Sequence, residues 1–479
     1  MDTVIDRLHM GLNALSTGEK DWNRREDNYR GDQQLPYAPE GVSVEYQELR
    51  DQSIANWLRP AMDVPVQRME VESVTDADGE IDKDAWATME AAQMQTRGRI
   101  LFSQMMVHGR GVMSVSKSPS GPRMMIENCR RVHIEGRADD PFTRAWAVKS
   151  WTEKRPRTSS LILPADADLG GLEVAVVYDE TKCTRFEKKS SGMYGKWEDV
   201  GTVDHGLKSV PFVSFGSRLD ADAVPHSAID DLIPMQNAIN TIRFNTLLAM
   251  QFSAYRQRVV VGYDPILRND SGDIVYITDE NGEPIVGPGG EPVPALRPGG
   301  RAGVDRLLVF PGSETKVFDL AESNLKNYVE VYIRFLTDLF TMAQIPPQYA
   351  LDKMANLSGD AMAGADATLQ SLVSDLQAEA SGGFNEVLQL MDIAAGRSPQ
   401  SRRLAWADRA PKSFGQIVDG IVKLISQGFP KRDAWDMLPG ATPVKVQAWI
   451  DHALEESRSE IDQLTATSSM SALEPAPQE

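Results

Sequence analysis

The chain has 479 residues with a formal net charge of -19, 41% hydrophobic and 25% charged positions, a composition of water-facing folds and long enough for several domains. That charge argues against a protein that grips nucleic acid, because tight binding normally comes from Lys and Arg neutralising phosphates. No apolar run approaches the roughly 20 residues that a bilayer span needs, and the two cysteines, Cys129 and Cys183, make neither a metal site nor a disulfide framework. Residues 1–20 hold no signal-peptide core, so synthesis in the cytoplasm is expected.

In chain order, helical spacing at Val4, Leu8, Leu12 and Leu15 predicts a helix over 2–15, and a second over 43–63 places Trp57 and Leu58 on its apolar side. The irregular stretch Tyr29-Arg30-Gly31-Asp32, followed by Leu35-Pro36, lies between them. Asp82 or Asp84 is set to cap a helix running to about Val107 and stopped by Gly109 and Gly111. The period then changes: 112–116, 124–129, 145–151, 172–178, 182–186 and 210–215 have strand character and are separated by turn residues, which predicts an α+β block. Ser227 is expected to open a long helix carrying Leu232, Met235, Ile239, Ile242, Leu247 and Phe252 on its apolar side, with Pro234 bending it near the start.

Residues 262–318 are a third kind of sequence, rich in Gly and Pro between 282 and 303, with strand-like runs at 274–277 and 307–310. This β insert separates the helix near 227–257 from one over 323–343, whose buried stripe reads Tyr328, Val331, Tyr332, Phe335, Leu336 and Leu339, while Lys326, Glu330, Arg334 and Asp338 alternate in sign. Ile345-Pro346-Pro347 ends that helix, since neither proline has an N–H to donate. After a loop at 348–356, Ser358 is placed to cap a very long helix with Asp360 in its first turn. Its stripe runs Leu369, Leu372, Val373, Leu376, Ala380, Phe384, Val387, Leu388, Met391 and stays in step across Gly382-Gly383, which predicts a kink there. Shorter helices follow at 414–427 and 443–456, and the acidic, Ser, Ala and Pro-rich end reads as disordered.

Gly195-Lys196 lacks the spacing and the Ser or Thr of a phosphate loop. Asp76, Asp78 and Gly79 resemble part of a calcium loop, but Val74 and Ala85 stand where the first and last ligands belong, so a solvated acidic turn is the reading. The six histidines have no metal-ligand spacing; Asp204-His205 reads as a turn, and Ser358-Gly359-Asp360 as a cap rather than a nucleophile loop. No catalytic, cofactor or metal residues are assigned, and an enzyme is not expected.

With these pieces in place the chain resembles the portal proteins of tailed double-stranded DNA phages, in particular the connectors of long-tailed phages. The resemblance rests on the order and spacing of Tyr29-Arg30-Gly31-Asp32 with Leu35-Pro36, Asn56-Trp57-Leu58-Arg59, His108-Gly109-Arg110-Gly111-Val112-Met113-Ser114-Val115, Val210-Pro211-Phe212-Val213, Met235-Gln236-Asn237-Ala238-Ile239-Asn240, and Ile345-Pro346-Pro347 leading to Asn356-Leu357-Ser358-Gly359-Asp360-Ala361. It implies an α+β portal fold: wing 1–225, stem helices 226–260 and 320–343, clip 261–319, tunnel loop 344–359, a long wing helix 360–396, a helical crown 397–465 and a disordered tail 466–479. It also implies a homo-oligomeric ring, dodecameric, at one capsid vertex of the virion. The implied partners are the terminase large subunit, the major capsid protein and scaffold, the head–tail adaptor, and double-stranded DNA passing without sequence-specific binding; no cofactor and no membrane are involved. Gln348, Lys353 and Asn356 would face the DNA, Pro346, Pro347, Ser358 and Gly359 would hinge their loop, and Arg243, Lys326, Glu330, Arg334 and Asp338 would be the charged stem positions. The alternatives are another ring-forming virion adaptor or minor capsid protein, or a DNA-processing packaging enzyme, which would need clustered carboxylates or a phosphate loop.

Overall fold

The computed structural model describes residues 3–38, 44–119, 121–153, 171–188, 195–254, 258–261, 266–287, 289–296, 316–319, 325–347, 359–407, 414–438, 441, 446–455 and 458. The chain forms two units, one of Met1–Glu26, Pro60–Ile229 and Phe340–Glu479, the other of Asp27–Arg59 and Asp230–Leu339. The helices are α1 Val4–Arg30, α2 Val44–Gln52, α3 Leu58–Gln67, α4 Lys83–Ala91, α5 Met94–His108, α6 Ile233–Ala254, α7 Leu325–Met342, α8 Gly359–Ala394, α9 Phe414–Ser426 and α10 Lys431–Asp436. The strands are β1 Val71–Thr75, β2 Arg110–Ser118, β3 Gly121–Glu127, β4 Val132–Gly136, β5 Arg144–Glu153, β6 Leu172–Tyr178, β7 Lys182–Lys188, β8 Trp197–Asp204, β9 Phe212–Gly216, β10 Arg258–Val261, β11 Lys316–Asp319 and β12 Arg403–Trp406. Every pairing among them is antiparallel, so the mixture is α+β, as the change of period predicts.

In the first unit, strand alternation builds the layers. Trp146 and Val148 on β5, Ala175 and Val177 on β6 and Phe186 on β7 join Leu8 of α1 in one cluster, with Leu12 packed against it. Ala147, between the first two, points the other way and joins Val112, Cys129, Val132, Val210 and Phe212. A residue period of two therefore sends one strand set into two cores. The five-stranded sheet β4-β5-β6-β7-β8 lies between α1 and the three-stranded sheet β3-β2-β9. On the far side of that smaller sheet, Phe215 of β9 meets Phe384 of α8 edge to face at 5.0 Å, and Phe384 in turn meets Phe102 of α5.

Several boundaries differ from the sequence reading, each for a local reason. α1 is 27 residues long; its second half is polar and mostly exposed, so apolar spacing does not show it. The expected helix over 43–63 is two helices separated at 53–57, and the one expected to run to Val107 breaks at Gln93, which takes a left-handed φ of 56°. Asp82 caps α4 as predicted, accepting from the Ala85 N–H at 2.9 Å. Ser227 opens no helix: its hydroxyl donates to the Val107 carbonyl at 2.6 Å, closing the end of α5. α6 begins at Ile233, so Pro234 sits in its first turn, where a missing N–H costs nothing. Gly109, at φ 79°, ends α5 so close to the next segment that a Cβ there would lie 2.9 Å from the His226 carbonyl carbon. Glycine is required at that position on both counts.

α8 is one unbroken helix of 36 residues across Gly382-Gly383. Buried ion pairs fix it on its own unit: Arg68 is bidentate to Asp366 at 2.5 and 2.9 Å, and Arg402 joins Asp392 of α8 at 2.5 Å to the capping Asp82 at 2.7 Å. Arg144 of β5 pairs with Glu386. The two glycines have different reasons. Gly383 is buried against the Phe215 ring, where a Cβ would fall 2.6 Å from two ring carbons, while a Cβ on exposed Gly382 meets nothing within 4 Å. Gly383→Ala is expected to destabilise by about 1–3 kcal/mol through overpacking, and Gly382→Ala to stabilise by up to about 1 kcal/mol through helix propensity. Denaturant midpoints of the two variants measure this, and equal shifts would contradict the packing account.

His108, at the end of α5, is buried with Nε2 3.2 Å from a Glu26 carboxylate oxygen of α1. Burial lowers its pKa to about 4 from an ordinary 6.5, outweighing the opposing pull of Glu26. A depressed histidine pKa means that the folded state binds fewer protons than the unfolded one, so this stability is intact above about pH 6.5 and is lost as pH falls toward 4. His108→Gln, which keeps a polar partner for Glu26, should lose less stability than the parent between pH 6.5 and 4; equal acid sensitivity of the two proteins would assign that loss elsewhere.

Candidate functional site

The second unit is organised around α6 and α7. At about 1.5 Å per residue they are roughly 33 and 27 Å long. α7 turns Tyr328, Tyr332, Phe335, Leu336 and Leu339 to its inner side, with Leu336 and Leu339 buried. Val331, expected in that stripe, is 44% exposed: at about 100° per residue it lies roughly a quarter turn off the Tyr328–Leu339 line. Val329 and Ile333 are likewise exposed, at 49% and 37%, on the opposite flank. Between α6 and α7 lies a groove of about 240 Å³ lined by Arg243, Thr246, Leu247, Tyr328, Val329 and Tyr332.

α6 is held by amides. Gln236 and Asn240, both fully buried, face residues 53–57 and Gln33. Gln236 donates from Nε2 to the Ala55 carbonyl at 2.6 Å and to Asn240 Oδ1 at 2.9 Å, and its Oε1 accepts from the Trp57 N–H at 3.0 Å. Asn240 Oδ1 also accepts from the Ala55 N–H at 3.1 Å, and its Nδ2 donates to Gln33 Oε1 at 2.8 Å. Asn56 extends the network, donating to the Tyr29 carbonyl at 2.8 Å and accepting from Gln33 Nε2 at 3.1 Å. Arg243 Nε donates to the Ser53 carbonyl at 2.9 Å, and the Trp57 indole N–H reaches the Tyr332 hydroxyl of α7 at 3.0 Å. Three of the short motifs quoted above, beginning at Tyr29, Asn56 and Met235, are thus one buried network.

Of the five charged positions that the resemblance singles out, Arg243 is on α6 and the other four lie on the wet side of α7. Lys326 and Glu330 are 3.8 Å apart, Arg334 and Asp338 3.3 Å. All four are well exposed, so each pair contributes little to stability. At the end of α7, Ile345 N–H returns to the Phe340 carbonyl at 2.9 Å, and Gln344 takes the left-handed φ of 59° that such an ending needs. Pro346 and Pro347 follow, and Gly359 is the first residue of α8. Gln348, Lys353, Asn356 and Ser358 lie outside the described residues, as do 307–310 and 466–479.

The insert contains a repeat that the sequence reading missed. Residues 269–273, 279–283 and 287–291 are three like turns, each closed by an N–H to carbonyl bond between first and last residue at 2.8–3.0 Å. Their signature is Asn or Asp at the first position of two of them, Gly at the fourth and an acid at the fifth of all three. Asn269 and Asp279 each accept two backbone N–H groups within their own turn. The strands between close into rings: Leu267 donates to Ala295, Ala295 to Val275 and Val275 to Leu267, at 2.7–2.8 Å. Ile277, Val293 and Ile285 repeat the cycle at 2.8–2.9 Å. No described residue of 266–296 is fully buried, so backbone bonds rather than a core hold it.

The remaining candidates resolve into turns. Asp76 Oδ1 accepts from the N–H groups of Asp78 and Glu80, and His205 Nε2 lies 3.0 Å from the Asp179 carbonyl. Cys129 and Cys183 are unbridged. Among the described residues no cluster of His, Cys, Asp or Glu is placed to hold a metal, and no helix is long and apolar enough to cross a membrane.

Residues 157–469, well over half of the chain, match the family of phage portal proteins described as SPP1 Gp6-like. The portal protein of Mycobacterium phage L5 is 21% identical over 446 residues, covering 89% of this chain and 83% of that protein. The portal protein of Mycobacterium phage D29 is 21% identical over 401 residues, covering 81% and 76%. The chain therefore belongs to the SPP1 Gp6-like family of phage portal proteins, which are structural components of the bacteriophage capsid rather than enzymes.

Proposed function

We propose that the chain assembles into a dodecameric ring at one capsid vertex, forming the channel for genome packaging and ejection. The ring docks the terminase large subunit and afterwards the head–tail adaptor. The observation that carries this reading is the pair of unlike apolar flanks on α7, Val331 on one side and Val329 with Ile333 on the other, while its inner side is already occupied. A helix with two different spare flanks makes heterologous contacts, which repeat from copy to copy until rotation closes them. The net charge of -19 supports a conduit over a grip, since a channel that moves a polyanion works by not binding it.

In this reading 1–225 and 360–396 form the wing, which meets the major capsid protein and scaffold, α6 and α7 belong to the stem, 261–319 is the clip, and 397–465 is the crown. The loop at 344–359, entered through Pro346 and Pro347 and left through Ser358 and Gly359, projects into the channel and touches DNA through Gln348, Lys353 and Asn356 without reading sequence. Lys353 beside Asp352 leaves that contact nearly neutral, so phosphates are met and released. The backbone-tied turns of 266–296 supply the docking surface of the clip, exposing Tyr276, Ile285, Val286 and Leu296 among acidic tips.

Native mass measurement of the purified chain should give a closed particle of about twelve chain masses; monomers and dimers alone at assembly concentrations would overturn the ring. Because Ile266 and Leu296 pair at the mouth of the insert, the whole of 266–296 can be replaced by a short glycine linker. That variant is expected to form rings and to lose terminase docking in a pull-down. Docking at parental strength would remove the clip assignment.

A further inference from the structure

Arg243 is the only charged residue among the six that line the groove between α6 and α7. Its Nε is spent on the Ser53 carbonyl, and among the described residues its two terminal nitrogens have no partner. The rest of the lining is Thr246, Leu247, Tyr328, Val329 and Tyr332. Such a surface takes an apolar plug with a carboxylate beside it: the apolar walls gain by losing water, and the guanidinium gains a bidentate acceptor.

This chain carries that plug on its own surface. Val331 stands on the flank of α7 away from the groove, and Asp338 lies on the same flank two turns further along, about 10 Å away. Asp338 is tied only to Arg334 among the described residues, in a surface pair at 3.3 Å with side chains 41% and 76% exposed. A pair of that kind exchanges partners at little cost. Glu330 is directed to the wet side with Lys326 and does not share the flank with Val331.

Resting on the ring reading, we propose that the α6–α7 groove is a socket for α7 of a second copy, with Val331 of that copy filling the apolar part and its Asp338 pairing with Arg243. The contact is one-directional: each copy offers a groove on one side of α7 and a plug on the other, so the interface cannot be satisfied by a closed pair and propagates around a ring. Arg243 then has a register role, since only one vertical offset between neighbours sets Asp338 opposite it while Val331 enters the groove.

The test uses the full chain with two cysteine pairs, Val331→Cys with Leu247→Cys and Val331→Cys with Val329→Cys, and a short bifunctional maleimide. Each pair is expected to give a ladder of covalent multimers reaching the full ring, while each single variant gives monomer; the native Cys129 and Cys183 are present in all of them as the background. Dimers from Val331→Cys alone would show a two-fold contact and overturn the socket. Rings of full mass without a ladder from either pair would overturn the socket while leaving the ring reading intact, and absence of rings in the parent chain would remove the ring reading itself. In a second arm, Arg243→Asp and Asp338→Arg should each lose rings, and the double variant should recover them. Recovery absent from a double variant whose thermal unfolding matches the parent would overturn the Arg243–Asp338 pairing.

Discussion

Gln236 and Asn240 stand one turn apart on α6 and are both fully buried, so their amides have to find partners inside the protein or cost about 1–3 kcal/mol each. They find them on Gln33 and on the backbone of residues 55–57. An amide network of this kind is directional where apolar packing is not: a shift of α6 by one residue would leave every one of those groups without its partner. The register of α6 against residues 27–59 is thereby fixed, and with it the positions of Arg243, through Ser53, and of Tyr332 on α7, through Trp57. The socket proposed for this groove needs that kind of restraint, because Leu and Val faces alone tolerate sliding.

The parts of this architecture that were legible in the sequence are those where one face is buried and the other wet. The stripe of α8 from Leu369 to Met391 is buried as read, and the alternating residues of β5 and β6 divide between two cores as a period of two requires. What was not legible has physical reasons. The second half of α1 and the edge strand β8 are largely exposed, so burial imposes no pattern on them. The break at Gln93 depends on one left-handed residue with no glycine to mark it. The turns of 266–296 are held by backbone bonds and bury no side chain fully; their only mark was the recurring Gly-acid pair after Asn or Asp, which is visible once its spacing is known. At the candidate site, Tyr29-Arg30-Gly31-Asp32, Asn56-Trp57 and Gln236 to Asn240 were each noticed as motifs, but nothing in a linear chain says that segments about 180 positions apart meet in one network. Val331 fits the α7 stripe within a quarter turn, and that quarter turn separates the inner face from the exposed flank.

Electrostatics acts at two scales. Locally, opposite charges meet at two buried places, Arg68 with Asp366 and Arg402 with Asp392 and Asp82, where an unpaired charge would be costly. Globally the chain stays at -19, and 266–296 carries Arg268 as its only base against six acids. A surface of that sign keeps nucleic acid at a distance, which suits the conduit proposed above, and the contacts proposed between copies rest on apolar flanks and one arginine instead.

In the proposed ring the amide-fixed pair α6–α7 forms the wall of an axial channel. A single-particle reconstruction of the assembled protein, at a resolution that distinguishes helices, tests it directly. The expected result is a ring in which α6 and α7 of every copy stand around the axis, side by side with those of the neighbouring copies. A ring with these helices on its outer rim, or particles with no axial opening, would contradict it.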